Sequence, residues 1–154
     1  MTPYFAYGSN MSRALMGRRC PTAAAIGPAR LEGWRFLVTL DGFASVAPAP
    51  GAIVHGVLWR IGARDLAALN AYESLDSGLY VRRALKVRLG ERAVQALLYV
   101  GRERRPGKPR PGYQRVVVDA AREWELPVRY VRSLERWGQK SFSGVWGAEV
   151  GEVG

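Results

Sequence analysis

Strands dominate the middle of this chain, and helices precede, interrupt or follow them without regular alternation. Two runs with period-two patterning, Tyr80 to Leu89 and Ala93 to Val100, are joined by Gly90-Glu91-Arg92 and predict a hairpin. An earlier run, Ile53 to Ile61, predicts a strand with one strongly apolar face. A strict strand–helix–strand order is missing, which argues against a doubly wound sheet. We therefore expect an α+β fold with a small sheet curled into a barrel.

The first part of the chain predicts a short aromatic strand followed by a helix. The strand spans Tyr4 to Tyr7, and Gly8-Ser9-Asn10 breaks it. Ser12 is a suitable N-cap for a helix from Arg13 to Arg19, which must stop before Pro21.

A β-rich region follows, and its turn residues predict several separate extended pieces. The candidate strands are Ala24 to Ile26, Arg30 to Thr39 and Phe43 to Ala47. The predicted breaks are Gly27-Pro28, Asp41-Gly42 and Pro48 to Gly51.

Two helices are predicted to close the domain, after a proline- and glycine-containing loop from Arg102 to Gly112. They span Gly112 to Trp124 and Pro127 to Trp137. In the second helix an apolar stripe is formed by Val128, Val131, Leu134 and Trp137. We expect one domain over residues 1–138 and a glycine-rich tail over residues 139–154 that trails over the surface.

Composition favours a globular protein without membrane or metal chemistry. Of the 154 residues, 48% are hydrophobic and 23% are charged, and no apolar run approaches the roughly 20 residues of a membrane helix. The start of the chain does not look like a signal peptide, so a cytoplasmic location is expected. One cysteine, Cys20, and one histidine, His55, leave no cluster for zinc and no internal disulfide.

The net charge of +10 permits nucleic acid, another polyanion or an anionic substrate as a partner. The charge is concentrated locally between Arg102 and Arg110. A solvated basic surface is the simpler explanation, and no nucleic-acid-binding motif accompanies it.

Glu73 is an acidic residue in an unfavourable position. It ends the helical stretch from Asp65 and shares an apolar face with Leu66 and Leu69. The negative end of the helix dipole disfavours an anion there by roughly 0.3–1 kcal/mol. A catalytic role competes with three structural explanations: a salt bridge to an arginine, a solvated helix end, or a buried hydrogen-bonded acid.

The segment Tyr7-Gly8-Ser9-Asn10 lies between the predicted first strand and the first helix. A glycine turn followed by free helix amides can form a cradle for an anion such as a carboxylate. It is no Walker loop, because no Gly-Lys-Ser/Thr follows. A plain turn with a helix cap is the alternative.

Four segments, in order, resemble the γ-glutamylcyclotransferases of the wider AIG2-like superfamily. Tyr4 to Met11 is similar to the family's opening Y-F-A-Y-G-S-N-[LM], and Leu69 to Arg82 follows its L-D-x-x-E-G-x-x-x-G-x-Y-x-[RKV]. Pro111 to Gln114 resembles the family's P-S-x-x-Y, and Glu125 to Tyr130 its G-L-P-x-x-Y.

This resemblance implies a small mixed β-barrel flanked by helices, with the substrate cavity at its mouth. It implies cleavage of a γ-glutamyl amine or γ-glutamyl amino acid to 5-oxoproline and the free amine, with no cofactor. Glu73 matches the family's general acid/base, and Tyr7, Gly8, Ser9 and Asn10 match its substrate loop. Tyr80 and Tyr113 are expected to line the pocket, although packing is the alternative for both and for Tyr130. Backbone amides of Gly8, Ser9 or Asn10 are candidate oxyanion donors.

The chain departs from the family pattern at two positions. The glycine after the catalytic glutamate is Ser74 here, which bears on loop geometry, and the aspartate of Leu-Asp is Asn70, which we interpret as a capping change. Asp76 is expected to cap the loop, His55 to be a core residue and Cys20 a helix-end residue. The loop differs from the Tyr-Gly-Thr-Leu of the γ-glutamylamine branch and the Tyr-Gly-Ser-Leu of the glutathione-specific branch. The alternative function is that of a catalytically inactive relative of this fold, which binds nucleic acid or another polyanion through its basic surface. The leaving amine and the oligomeric state remain open.

Overall fold

The computed structural model describes residues 1–73 and 78–139. The expectations for Ser74, Asp76 and the tail after Gln139 fall outside these ranges, and the proposed domain boundary stays a prediction. Within the described ranges, no helix combines the length and apolar character needed to cross a membrane.

Five strands in the described residues close into a barrel. They are β1 (Thr2–Ala6), β2 (Ala24–Val38), β3 (Ala44–Ile61), β4 (Tyr80–Leu89) and β5 (Arg92–Gly101). The order around the barrel is β1, β3, β2, β4, β5, with β1 parallel to β5 and the other neighbours antiparallel. The expected α+β class and the barrel are therefore confirmed. In the closed barrel the edges of β1 and β5 pair with each other, so the end of β1 lies beside β5.

The predicted separation of the β-rich region into short pieces is wrong in part. β2 runs through Gly27-Pro28, and β3 runs through Pro48 to Gly51. The register of the β2–β3 pairing shifts at two places. One shift lies between Ala25 and Gly27, and the other lies between Glu32 and Trp34, on either side of Gly33. Such bulges bend a strand without ending it. The break at Asp41-Gly42 is confirmed, because Gly42 donates its N–H to Thr39 at 2.9 Å and has φ 86°.

The helices begin and end close to where the sequence predicts them. They are α1 (Arg13–Arg19), α2 (Ala63–Tyr72), α3 (Tyr113–Glu123) and α4 (Val128–Gly138). The Ser12 hydroxyl accepts the Leu15 N–H at 3.2 Å, so the predicted cap of α1 is confirmed.

The apolar stripe of α4 is only partly correct. Val131 and Leu134 are buried, and the Trp137 ring meets Phe36 edge-on. Val128 is 65% exposed, because it stands at the first position of the helix, before the packed turns begin. Gln114 ties α3 to α4 by donating to the Leu134 carbonyl at 2.8 Å. The two helices therefore pack as a pair.

The core fills the barrel and the space beneath these helices. Strand residues such as Phe5, Leu58 and Leu98 are fully buried. Gly56 is required where β3 passes β1, because an added Cβ would lie 2.3 Å from the Ala6 carbonyl oxygen. This close approach packs β1 tightly against β3 and fixes the direction in which the chain leaves the barrel after Ala6.

Candidate active site

A cavity of about 270 Å³ opens where β1 ends, bounded by the end of α2 and the start of α3. All of the residues predicted from the sequence line it, namely Tyr7, Gly8, Ser9, Asn10, Glu73, Tyr80 and Tyr113. Further lining residues that the sequence did not single out are Tyr4, Phe43, Ala44, Tyr72, Leu79 and Tyr99. The barrel thus brings together side chains that are far apart in the sequence.

The loop after β1 forms one turn of 3₁₀ helix, Ser9–Met11, before Ser12 caps α1. The Gly8 carbonyl accepts the Met11 N–H at 3.1 Å, and the Ser9 carbonyl accepts the Ser12 N–H at 3.0 Å. The anion-cradle hypothesis expected the free amides of α1 directly behind the loop. The 3₁₀ turn lies between them instead. The short helix instead turns the Asn10 side chain inward, where it is buried.

Gly8 is required by close packing. Its φ is −113°, which other residues adopt, but an added Cβ would lie 2.8 Å from the Tyr113 hydroxyl and 3.2 Å from the Ala44 Cβ. The absence of a side chain lets the start of α3 approach the loop. Gly8 therefore sets the width of the cavity at this point.

Glu73 follows the last residue of α2 and caps that helix, with its N–H donated to the Leu69 carbonyl at 2.8 Å. Leu69 is fully buried and Leu66 half-buried, so the predicted apolar face is confirmed. Burial raises the pKa of Glu73 to about 7, and the guanidinium of Arg19 opposes this shift. The direction agrees with the expectation from sequence. A carboxyl group with this pKa exchanges protons readily at neutral pH.

Three tyrosines around Glu73 give their hydroxyl protons to protein acceptors. Tyr7 donates to the Tyr99 carbonyl, Tyr80 donates to the Ala44 carbonyl at 3.1 Å, and Tyr99 donates to Asn70 Oδ1 at 2.6 Å. Asn70 therefore lies inside α2 and accepts a hydrogen bond from a tyrosine that lines the cavity, so its interpretation as a capping change is wrong.

The hydroxyl groups of Tyr4 and Tyr113 are bonded in the opposite sense. Tyr4 accepts from Asn10 Nδ2 at 3.0 Å, and Tyr113 accepts the N–H of Ala44 at 3.2 Å. Burial raises the pKa of Tyr113 to about 12 and that of Tyr4 well above its usual range. Both are protonated at neutral pH. Their protons have no acceptor within the described ranges, so both hydroxyls can donate into the cavity.

A protein-family model for the AIG2-like family matches residues 53–134, which is more than half of the chain. The chain belongs to the AIG2-like family. Curated relatives span nearly all of it. The human γ-glutamylcyclotransferase is 27% identical and the mouse enzyme 28%, each over 97% of this chain and 86% of the relative. A solved structure of a γ-glutamyl cyclotransferase superposes with a TM-score of 0.84 at 26% identity, covering 98% of this chain and 96% of the other.

These relatives confirm the resemblance that the four sequence segments indicated, and they support a cyclotransferase role for this AIG2-like chain. They also agree with the barrel and its flanking helices. The roles of individual residues do not follow from overall similarity. We therefore take them from the geometry of the cavity.

Arg19, the last residue of α1, is the main residue that sequence reasoning missed. Its Nη1 donates to Ser9 Oγ at 3.2 Å and to Asn10 Oδ1, and its Nη2 donates to the Tyr72 hydroxyl. Its guanidinium carbon lies 3.8 Å from the centre of the Tyr72 ring. Nothing in the sequence distinguishes Arg19 from Arg18 beside it, because both look like ordinary basic residues at a helix end.

Tyr130, His55 and Cys20 lie away from the cavity. The rings of His55 and Tyr130 meet edge-on with centroids 4.9 Å apart, and burial followed by the Arg30 charge lowers the pKa of His55. Cys20 is buried at the end of α1, and burial raises its pKa to about 11. These environments agree with the structural interpretations of His55 and Cys20. In residues 1–73 and 78–139, no group of three or more His, Cys, Asp or Glu side chains is arranged to hold a metal ion.

The basic loop after β5 lies next to the cavity, and two of its arginines interact with other residues of this protein. Arg105 pairs with Glu103 at 2.6 Å. Arg110 donates through Nε to the Asp41 carbonyl at 2.9 Å and stacks 4.7 Å from the ring of Phe43, which lines the cavity. Arg110 therefore packs against a side chain that lines the cavity.

Proposed function

We propose that this protein is a γ-glutamyl cyclotransferase, which converts a γ-glutamyl amine or γ-glutamyl amino acid into 5-oxoproline and the free amine. The observation that carries the proposal is Glu73, a half-buried carboxyl group with a pKa of about 7 in a cavity shared with the Tyr7-to-Asn10 loop. The names of the relatives support the same reaction class.

The reaction is an intramolecular amide exchange. The α-amine of the glutamyl group attacks its own γ-carbonyl carbon, so a carbon–nitrogen bond forms and closes a five-membered ring. The amide bond to the leaving amine then breaks. Because nucleophile and electrophile belong to one molecule, holding the chain in a folded conformation supplies much of the rate gain.

Glu73 carries the proton between the two nitrogens in this proposal. The substrate amine is an ammonium at neutral pH and gives a proton to the Glu73 carboxylate before or as it attacks. The protonated Glu73 then gives that proton to the departing nitrogen, which regenerates the carboxylate as the carbon–nitrogen bond breaks. The ring nitrogen still carries a second proton from the attacking amine. Glu73 takes this proton as well and passes it to the released amine, which leaves as an ammonium. Such proton transfer typically contributes about 10²–10⁴ in rate, most effectively when the pKa is near the working pH.

The γ-carbonyl oxygen becomes negatively charged during attack and needs a donor. The backbone N–H groups of Gly8, Ser9 and Asn10, which the sequence suggested, are alternative donors. We assign the donor role to Tyr113, because its oxygen accepts the Ala44 N–H and its own proton is left to point at a ligand. Tyr4 is the second hydroxyl with a proton to give.

The remaining residues hold the γ-glutamyl group. The loop residues Tyr7, Gly8, Ser9 and Asn10 line the cavity, and Tyr80 lines it as well. Tyr7 and Tyr80 are hydrogen-bonded through their hydroxyls, so we assign them the role of fixing the shape of the wall.

The experiment that tests the proposal is a search for 5-oxoproline with a panel of γ-glutamyl dipeptides and γ-glutamyl amines. We expect wild type to form 5-oxoproline from at least one of them, and Glu73→Gln to lose the activity. Glu91→Gln removes the same charge from the exposed turn between β4 and β5 and should leave the rate unchanged. Equal rates for wild type and Glu73→Gln would remove Glu73 from the mechanism. No product across the panel would overturn the proposed function.

A further inference from the structure

The guanidinium of Arg19 lies between two parts of the candidate site, the substrate loop and the end of α2. It donates to the side chains of Ser9 and Asn10 on the substrate loop and to the Tyr72 hydroxyl at the end of α2. Tyr72 directly precedes Glu73 in the chain. Arg19 is half-buried, and the planar group lies over the Tyr72 ring at 3.8 Å.

This arrangement uses properties that a lysine lacks. A guanidinium has several N–H donors in one plane, so it can bond two groups on one side and a third on the other while it stacks on an aromatic ring. A single ammonium cannot hold all of these contacts at once. The set of N–H donors of Arg19, its fork, therefore links the loop after β1 to the end of α2.

We propose that Arg19 is a positioning residue that ties the substrate loop to the end of α2 and keeps a positive charge beside Glu73. The inference rests on the proposed function, since it concerns the same site. Arg19 acts through Ser9, Asn10, Tyr72 and Glu73 rather than through the reacting atoms. Two separable contributions follow, one from the fork and one from the charge.

The charge contribution follows from what surrounds the Glu73 carboxyl group. Among the described residues, the groups that interact electrostatically with it besides Arg19 are Tyr4, Tyr7, Tyr80, Tyr99 and Tyr113. Burial raises the pKa of each of these tyrosines, so all of them are neutral near pH 7. Burial also favours the neutral form of Glu73, and Arg19 opposes it. Without that charge, Glu73 should hold its proton to a higher pH.

The fork contribution concerns the loop. Without it, the Ser9 and Asn10 side chains lose a charged donor, and Tyr72 loses the group stacked on its ring. The loop should then populate conformations that do not fit the γ-glutamyl group. We expect KM to rise by about tenfold, since charge-assisted hydrogen bonds are the stronger ones.

Three variants separate these contributions. Arg19→Met removes charge and fork, Arg19→Lys keeps the charge and removes the fork, and Arg18→Met removes an exposed charge one residue away. The titration of Glu73 is followed by the carbon-13 shift of its side-chain carboxyl group, assigned by its loss in Glu73→Gln. The kinetic readout is the KM and kcat for 5-oxoproline formation. Melting temperatures verify that each variant is folded.

We expect the Glu73 midpoint to move upward in Arg19→Met and to stay at the wild-type value in Arg19→Lys and Arg18→Met. KM should rise in both Arg19 variants. An unchanged midpoint and KM in Arg19→Met would overturn the inference, and so would an equal midpoint shift in Arg18→Met. The titration needs no turnover, so a wild type that forms no 5-oxoproline would overturn the proposed function and leave the Arg19 inference to be decided by the titration.

Discussion

Two titratable side chains of this protein are held among tyrosines, and they end in different environments. Glu73 lies at the end of α2 in a cavity of about 270 Å³, with Tyr4, Tyr80 and Tyr113 in its walls. His55 lies on β3 with its ring 4.9 Å from that of Tyr130 on α4. Burial pushes both towards their neutral forms, raising the pKa of Glu73 and lowering that of His55.

The difference lies in whether the tyrosine hydroxyls face a cavity. Around Glu73, the described residues provide no acceptor for the hydroxyl protons of Tyr4 and Tyr113. Both hydroxyls can therefore donate hydrogen bonds to a molecule bound in the cavity. The hydroxyl of Tyr130 is buried without a hydrogen bond within the described ranges and does not line the cavity. A shifted pKa therefore marks a site of chemistry only where space and directed donors accompany it.

The largest expected effect comes from the two titratable groups themselves. Glu73→Gln should lower the rate of 5-oxoproline formation by about 10²–10⁴, the usual value of a general acid/base. His55→Gln should leave that rate within about twofold, because a surface or packing change away from the site affects stability rather than chemistry. Initial rates at saturating substrate decide the comparison. A larger loss in His55→Gln than in Glu73→Gln would reverse our assignment.

The tyrosines give the next effect. Tyr113→Phe removes the proposed oxyanion donor and should lower kcat by roughly 10²–10³, as loss of such a donor typically does. Tyr130→Phe removes a buried hydroxyl that has no partner among the described residues, so activity should be unchanged and stability equal or higher. Steady-state kinetics and urea unfolding of both variants test this. A normal kcat in Tyr113→Phe would return the oxyanion role to Tyr4 or the loop amides.

The sequence was sufficient for the elements whose patterns are local. Period-two runs predicted the β4–β5 hairpin, and Ser12 predicted the start of α1. It was insufficient for β2 and β3, because glycine and proline normally end strands, whereas here Gly27 and Gly33 sit at bulges and the pairing resumes beyond them. Whether a bulge or a turn forms depends on the partner strand, which the local sequence does not reveal.

The site shows the same limit. Tyr7 to Asn10, Glu73, Tyr80 and Tyr113 came from motifs that resemble a family, and the barrel does place them around one cavity. Tyr99 occupies an ordinary alternating position of β5, and Arg19 looks like its neighbour Arg18. Their places in the site follow from barrel closure and from the end of α1 meeting the loop. Both are properties of the tertiary structure and carry no local signal.

A smaller effect should appear in stability, with opposite signs for the two titratable groups. The pKa of Glu73 is about 7 in the folded protein against 4.5 ordinarily, so the folded state binds the extra proton in this interval. Its contribution makes the free energy of unfolding fall as pH rises from about 4.5 to about 7, by at most about 3 kcal/mol. The lowered pKa of His55 acts in the opposite sense, since stability is lost as pH falls below its ordinary value of 6.5.

Urea unfolding at pH 5 and pH 8 measures these slopes. The free energy of unfolding of Glu73→Gln minus that of wild type should be larger at pH 8 than at pH 5. For His55→Gln, the same difference should be smaller at pH 8 than at pH 5. Glu91→Gln, in an exposed turn, provides the control for loss of a surface carboxylate. If Glu73→Gln has the same pH slope as wild type, the carboxyl group of Glu73 titrates alike in the folded and unfolded chains.

The least invasive test is the pH dependence of the wild-type reaction. Glu73 must be ionised to accept the first proton, so kcat/KM should fall about tenfold per pH unit below an apparent pKa of about 7 and level off above it. His55 is neutral over most of this range because its pKa is lowered, so His55→Gln should leave the midpoint in place. Loss of the acid limb in His55→Gln would mean that the histidine beside Tyr130, and not the carboxyl group in the cavity, controls the reaction.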